Sequence, residues 1–119
     1  MEVIYAYTRT QAIADGVLID VTETAKEAGF RIPAALTSAA WAECVAVPEG
    51  VEGQDEAGRL WDVLFMCHLY ARRNGEAQEM LFQLLVRKTG RTETVTLKAV
   101  CGPDDSGEPC LTIMQPDED

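Results

Sequence analysis

Long apolar runs, basic charge and histidine are what this sequence has least of. No stretch approaches the roughly 18 to 20 apolar residues needed to cross a bilayer, so no membrane-spanning helix is expected. The opening residues, MEVIYAYTRTQ, have neither the basic start nor the apolar stretch of a secretory signal. That sets the expectation of a cytoplasmic protein whose Cys44, Cys67, Cys101 and Cys110 are reduced thiols. Glycine-rich phosphate loops are missing, both the dinucleotide pattern GxGxxG and the lysine-bearing P-loop. No CxxC pair occurs and His68 is the single histidine, so the four close-paired ligands of a zinc site cannot be assembled. Neither metal nor cofactor is expected. Lys and Arg number 10 against 20 Asp and Glu, a net charge of −10 over 119 residues. Such a surface repels anionic nucleic acid and anionic lipid and attracts basic protein.

What is present suits one domain, residues 1–119, with an ordinary apolar content of 47%. The pattern predicts an α+β fold: short N-terminal strands and helices, then a long helix, then a three-stranded antiparallel meander packed on it. EVIYAYT alternates as a strand of β-formers. Thr8 is placed to cap a brief helix over TRTQAIADG, VLIDV reads as a second strand, and Thr22 as the cap of a helix stopped by Gly29. Pro33 interrupts the following stretch, after which Ser38 reads as the cap of SAAWAECVAV, with Trp41, Ala42 and Val45 facing a core. PEGVEGQ is a loop. From Asp55 the longest helix runs to Gly75, acids at its start and Arg72 and Arg73 at its end, in the sense the helix dipole favours. Leu60, Leu64, Cys67 and Ala71 share one face, and Trp61, Phe65 and Leu69 widen it until the helix is expected to be nearly engulfed. MLFQLLV, TVTLKAV and CLTIM then read as strands separated by turn-forming residues. In TVTLKAV, Val95, Leu97 and Ala99 fall on one face and Thr94, Thr96 and Lys98 on the other, the mark of a sheet covered on one side. The tail QPDED is expected to fray.

The stretch CGPDDSGEPC holds two cysteines around an acidic turn. Asp104, Asp105 and Glu108 lack calcium-loop spacing, and a structural hairpin is the reading preferred over a metal clip or disulfide. Cys44 or Cys67 with His68 is the one conceivable nucleophile and base, but no third group orients them. The acid pairs Asp15 with Asp20 and Asp55 with Glu56 sit where caps and turns want acids.

Charge is unevenly placed. Glu49, Glu52, Asp55 and Glu56 cluster before and at the start of the long helix, and Asp104, Asp105 and Glu108 in the last turn. Arg87, Lys88 and Arg91 concentrate at the first hairpin turn, predicting an acidic and a basic end. Those seven acids are the expected partner-binding residues, able to imitate the phosphates that a basic groove is built to hold.

The stretches YTRTQAIADGVLIDVTETAKEAGFRIP, QDEAGRLWDVL and KAVCGPDDSGEPCLTIMQPDED resemble a family of small uncharacterised proteins, a domain of unknown function carried on bacterial plasmids and other mobile elements. The resemblance covers nearly the whole chain and brings no activity or site residue with it. It implies a mobile-element setting, in which small acidic proteins often act against host defence. The expectation is therefore a non-catalytic inhibitor of a basic nucleic-acid-binding host protein, first a CRISPR effector (an anti-CRISPR role) and second a restriction enzyme. The alternatives are an accessory plasmid protein or homodimeric interaction module, joined through an apolar sheet or helix face, and a small enzyme using Cys67 or His68.

Overall fold

The computed structural model describes residues 7–75 and 77–118. Its elements in chain order are α1 (Arg9–Ala14), β1 (Leu18–Asp20), α2 (Thr22–Ala28), β2 (Ala34–Thr37), α3 (Ser38–Cys44), α4 (Glu56–Asn74), β3 (Glu79–Lys88), β4 (Arg91–Pro103) and β5 (Pro109–Met114). The fold is α+β, as the patterning predicts.

The meander forms where alternation and turn residues place it. Thr89 and Gly90 join β3 to β4, and Gly90 adopts φ 75°, the left-handed geometry that two-residue hairpin loops demand. Along β4, Val95, Leu97 and Ala99 are buried. Along β3, Phe82, Leu84 and Val86 are buried and the residues between them exposed. The second turn closes through Asp104, whose Oδ1 accepts from the amides of Ser106 (2.8 Å) and Glu108 (3.0 Å). CGPDDSGEPC is thus a hairpin connection.

The meander is only part of a five-stranded sheet, ordered β1-β2-β5-β4-β3. β2 was not expected. Its sequence, AALT, follows Pro33 and contains weak β-formers, yet Ala34, Ala35 and Leu36 are buried and the strand runs parallel to β5. Small alanines suit this strand because both of its faces are covered. The helix starts shift accordingly. Thr37 rather than Ser38 caps α3, its hydroxyl accepting from the Ala40 amide at 3.2 Å. Thr8 caps α1 with a complete capping box to Gln11. Thr22 lies inside α2, its hydroxyl donating to Asp20 Oδ1 at 2.5 Å while accepting from the Ala34 amide. The expected first strand, EVIYAYT, falls mostly outside the described residues; Tyr7 and Thr8 are not strand.

One face of the sheet packs against α2, α3 and α4 around Phe82, Leu36, Leu64, Leu97 and Ile113, none of them accessible to solvent. Cys44 and Val45 close the core from α3. Ala42, expected inside, is exposed. α4 buries Leu60, Val63, Leu64 and Cys67, but it is not engulfed: Trp61 remains 38% and Phe65 49% exposed. The apolar stripe is wider than the neighbours that cover it.

The opposite face is covered only in part. Ala35, Cys110 and Met114 are buried outside the main core, on the side where α1 lies. Arg9 anchors that helix, donating from Nη1 to Thr112 Oγ1 (2.6 Å) and from Nη2 to Leu111 O (2.8 Å). The chain end folds back too, correcting the expected fraying. Glu118 Oε2 accepts from Thr37 Oγ1 (2.8 Å) and the Gln115 amide (2.7 Å), and Lys98 Nζ donates to Glu118 O.

Candidate partner-binding surface

The seven carboxylates expected to meet a partner occupy two places rather than one. Glu49, Glu52, Asp55 and Glu56 lie at the α3–α4 connection, which is tied to the β3–β4 turn by Thr89 Oγ1 donating to Glu49 O at 2.8 Å. Asp104, Asp105 and Glu108 form the β4–β5 turn, at the other end of the 13-residue β4. At about 3.3 Å per residue that strand separates the two groups by roughly 40 Å.

The fold itself employs three of the seven. Asp55 Oδ1 accepts from the Gly58 amide at 2.7 Å, capping α4. Asp104 holds its own turn. Asp105 fastens α1, accepting from the Arg9 amide (2.8 Å), the Thr10 amide (3.0 Å) and the Thr10 hydroxyl (2.6 Å). The Thr10 hydroxyl, then the two amides, hold the Asp105 carboxyl below its usual value near 3.8. A depressed carboxyl contributes stability above its unfolded-state value and loses it as pH falls through the folded value. Amide exchange at Arg9 and Thr10 should therefore accelerate on acidification below about pH 3.8, while β4 amides stay protected; in Asp105→Asn that acid-triggered release should vanish.

Glu49, Glu52, Glu56 and Glu108 make no side-chain hydrogen bond or ion pair among the described residues, and all four are exposed. The bases beside the first three are largely engaged. Lys88 Nζ lies 3.7 Å from Glu43 and 3.4 Å from Glu93, and Arg91 3.2 Å from Glu93. Burial opposes the charge on Glu93, but Lys88 and Arg91 outweigh it and hold its carboxyl below the usual range. Arg59 is buried, with Nε donating to Val45 O (3.0 Å) and Nη1 to Gln54 Oε1 (2.6 Å) and Arg87 O (2.8 Å). The expected basic end is thus only in part free positive charge: Lys88 and Arg91 face acids of the same protein, while Arg87 is exposed and meets no acid among the described residues.

The thiols and the histidine take up structural positions. Burial pushes Cys67 up to about 12, and burial with the neighbouring Glu43 does the same to Cys44, so both stay protonated near neutrality. His68 stands edge-on to Phe30 at 5.0 Å and fills the space over Gly29. Cys101 pairs with Leu111 and Cys110 with Gly102, so the two thiols sit one register step apart and on opposite faces; no disulfide joins them. Among the described residues no group of three His, Cys, Asp or Glu converges to hold a metal. Thiol labelling of the native protein should modify half-buried Cys101 first, and Cys44 and Cys67 only as fast as the molecule unfolds.

A cleft of about 250 Å³ lies between Arg9, Thr10, Asp20, Asp104 and Asp105, but its acids already carry internal hydrogen bonds. The sequence pattern of one protein family matches residues 1–119. The chain belongs to that family, a family of unknown function (DUF6573). Membership agrees with the resemblance read from the YTRTQ and GPDD stretches at the level of an unknown-function domain. No curated protein and no solved structure matches the chain. The DUF6573 match brings no site residues with it, so the surface chemistry of this chain carries the functional reading.

Proposed function

We propose that this protein is a non-catalytic binding protein that offers unengaged carboxylates to a basic groove, blocking nucleic acid from a host-defence protein. The observation that carries this reading is the α3–α4 connection. There Glu49, Glu52 and Glu56 are exposed and unengaged among the described residues, while the neighbouring Lys88 and Arg91 face Glu43 and Glu93. Negative charge carried on a loop held to a sheet end is pre-positioned, which lowers the ordering cost of binding. Glu108, at the far end, is a second point of contact for an extended groove.

The resemblance to plasmid-borne proteins makes a CRISPR effector the first target to try and a restriction enzyme the second. The test is inhibition of target cleavage by each purified enzyme, with and without the protein. Glu49→Lys combined with Glu52→Lys and Glu56→Lys should weaken inhibition at least tenfold, roughly what loss of several contacting charges produces. Circular dichroism should be unchanged and the melting temperature should fall by only a few degrees. None of the three side chains makes a hydrogen bond or ion pair among the described residues, and only Glu56, in the first turn of α4, gives up a helix-dipole contact of about 1 kcal/mol or less. Full inhibition by the folded triple variant would reject this contact. Asp105 is the wrong residue for such a test, because reversing it would release α1.

A further inference from the structure

The two edges of the sheet are built differently. β1, at one edge, is three residues long. β3, at the other, is ten residues long, and among the described residues no strand pairs with its outer side. Proteins guard such edges with lysine, proline, bulges or shortness. From Glu79 to Val86, β3 has no lysine, no proline and no bulge in its register with β4. Instead it is flanked by four of the seven large apolar side chains that are exposed among the described residues. Leu81 (57% exposed) and Leu85 (69%) stand on the uncovered sheet face, and Trp61 and Phe65, stacked at 6.2 Å, stand on α4 on the other side. A groove of about 390 Å³ lies at this strand between Phe65 of α4 and Leu85, with Gln83 in its wall and Thr94 of β4 at its inner end.

We propose that this edge pairs with the same edge of a second copy, β3 against β3 in antiparallel sense, joining two sheets into one. The hydrogen-bond parity of the strand supports it. The Cys101 amide donates to Gln78 O at 2.8 Å, so residues 78 and 101 form a bonded pair. In an antiparallel ladder bonded and non-bonded pairs alternate. The even-numbered residues of β3 therefore direct their N–H and C=O toward β4, and Glu79, Leu81, Gln83, Leu85 and Arg87 direct theirs outward. Those five also share the uncovered face. With a two-fold axis through Gln83, Glu79 stands opposite Arg87 of the other copy, Leu81 opposite Leu85, and Gln83 opposite itself. Every pair is then a bonded pair, leucine meets leucine, and acid meets base. A register two residues away in either direction sets leucine against charge.

The helix layer is self-complementary under the same axis. α4 runs antiparallel to β3, so the two α4 helices would run antiparallel to each other, the acidic start (Glu56, Asp62) toward the basic end (Arg72, Arg73). Phe65 lines the groove beside Gln83, which places it near the axis and against its counterpart. A ladder from Glu79 to Arg87, about 30 Å long and two layers deep at about 10 Å per layer, covers on the order of 600 Å² per copy. Stable dimers bury about 800 Å² per partner.

Light scattering coupled to size exclusion on the full chain tests this, with 13.0 kDa expected for one copy and twice that for the pair. The wild type should run as the pair. Gln83→Pro removes an N–H that β4 does not use, so the protomer should stay folded by circular dichroism while the dissociation constant rises by about thirtyfold or more. Arg87→Glu should weaken the pair by setting like charges opposite, as should Glu79→Lys, which in addition gives up the 3.6 Å contact of Glu79 with Lys98 of its own copy; the double exchange should restore the pair. A wild type that stays at one copy's mass up to high concentration overturns the proposal. So does a pair indifferent to Gln83→Pro and to both single exchanges, because it would use another surface. If Gln83→Pro fails to fold, the charge exchanges decide alone.

Discussion

Arg59→Leu should lower the unfolding free energy by about 3 kcal/mol, and Arg59→Lys should recover little of that loss. Arg59 is 4% exposed and no carboxylate faces it among the described ion pairs. Its guanidinium works as a backbone clamp. Nε reaches Val45 O at the end of α3, and Nη1 reaches both Gln54 Oε1 and Arg87 O near the β3–β4 turn. One side chain thereby joins α3, the loop before α4, and β3. Leucine would leave those carbonyls buried without donors, and each such orphan costs about 1–3 kcal/mol. Lysine keeps the charge but offers a single point, which cannot span two carbonyls served by different arms of a planar fork. Nη2 is buried without a hydrogen-bond partner among the described residues, which subtracts from what the clamp contributes. Because the clamp also sets the α3–α4 connection, loss of Arg59 should loosen the loop bearing Glu49 and Glu52. Urea unfolding of the three proteins measures the energies, and exchange of the loop amides reads the loosening.

Gly29→Ala should cost about 2–3 kcal/mol, the sum of a left-handed backbone penalty and a steric clash. Gly29 ends α2 with φ 113°, and a Cβ there would stand 2.9 Å from Cε1 and Nε2 of His68 on α4. The glycine is what lets the end of α2 approach α4, and His68 is the side chain that fills the gap. The two contributions can be separated. His68→Ala removes the clash but not the backbone strain, so Gly29→Ala should be less harmful in the His68→Ala background, with a coupling of about 1 kcal/mol. Strict additivity in denaturant unfolding would show that His68 gives way freely and that the clash with it adds nothing to the cost of Gly29→Ala.

How far the fold could be read from sequence follows from which signals were strong. The meander was legible because β4 alternates Thr, Val and Leu cleanly and because Gly90 and Asp104 mark the turns. α4 was legible from Asp55 to Gly75 because a capping acid, dipole-matched charges and a terminal glycine agree. β2 was not: four residues rich in alanine carry no alternation, and its place beside β5 depends on a parallel contact between distant segments. The exposure of Trp61 and Phe65 was illegible for a related reason. Apolar residues ring α4, and only the layout of the sheet decides which of them find cover. A clue did stand in β3, where Leu81 and Leu85 make both faces apolar while β4 keeps threonine on the outer one. Of the acidic residues, composition located all seven at the surface ends of elements. Asp55 could be read as a cap; that Asp104 holds its own turn and that Asp105 fastens α1 could not, since those roles depend on which amides a carboxylate meets.

The central claim is that exposed glutamates at the α3–α4 connection are what this protein presents to its target. The most direct test is the affinity for a purified CRISPR effector, measured across a range of salt concentrations for the wild type and for the Glu49, Glu52 and Glu56 lysine triple variant. Exposed charges are screened over about 10 Å at moderate ionic strength, so wild-type affinity should fall steeply with salt and the triple variant's should be weak and nearly flat. Tight binding by both proteins with the same salt dependence would contradict the account.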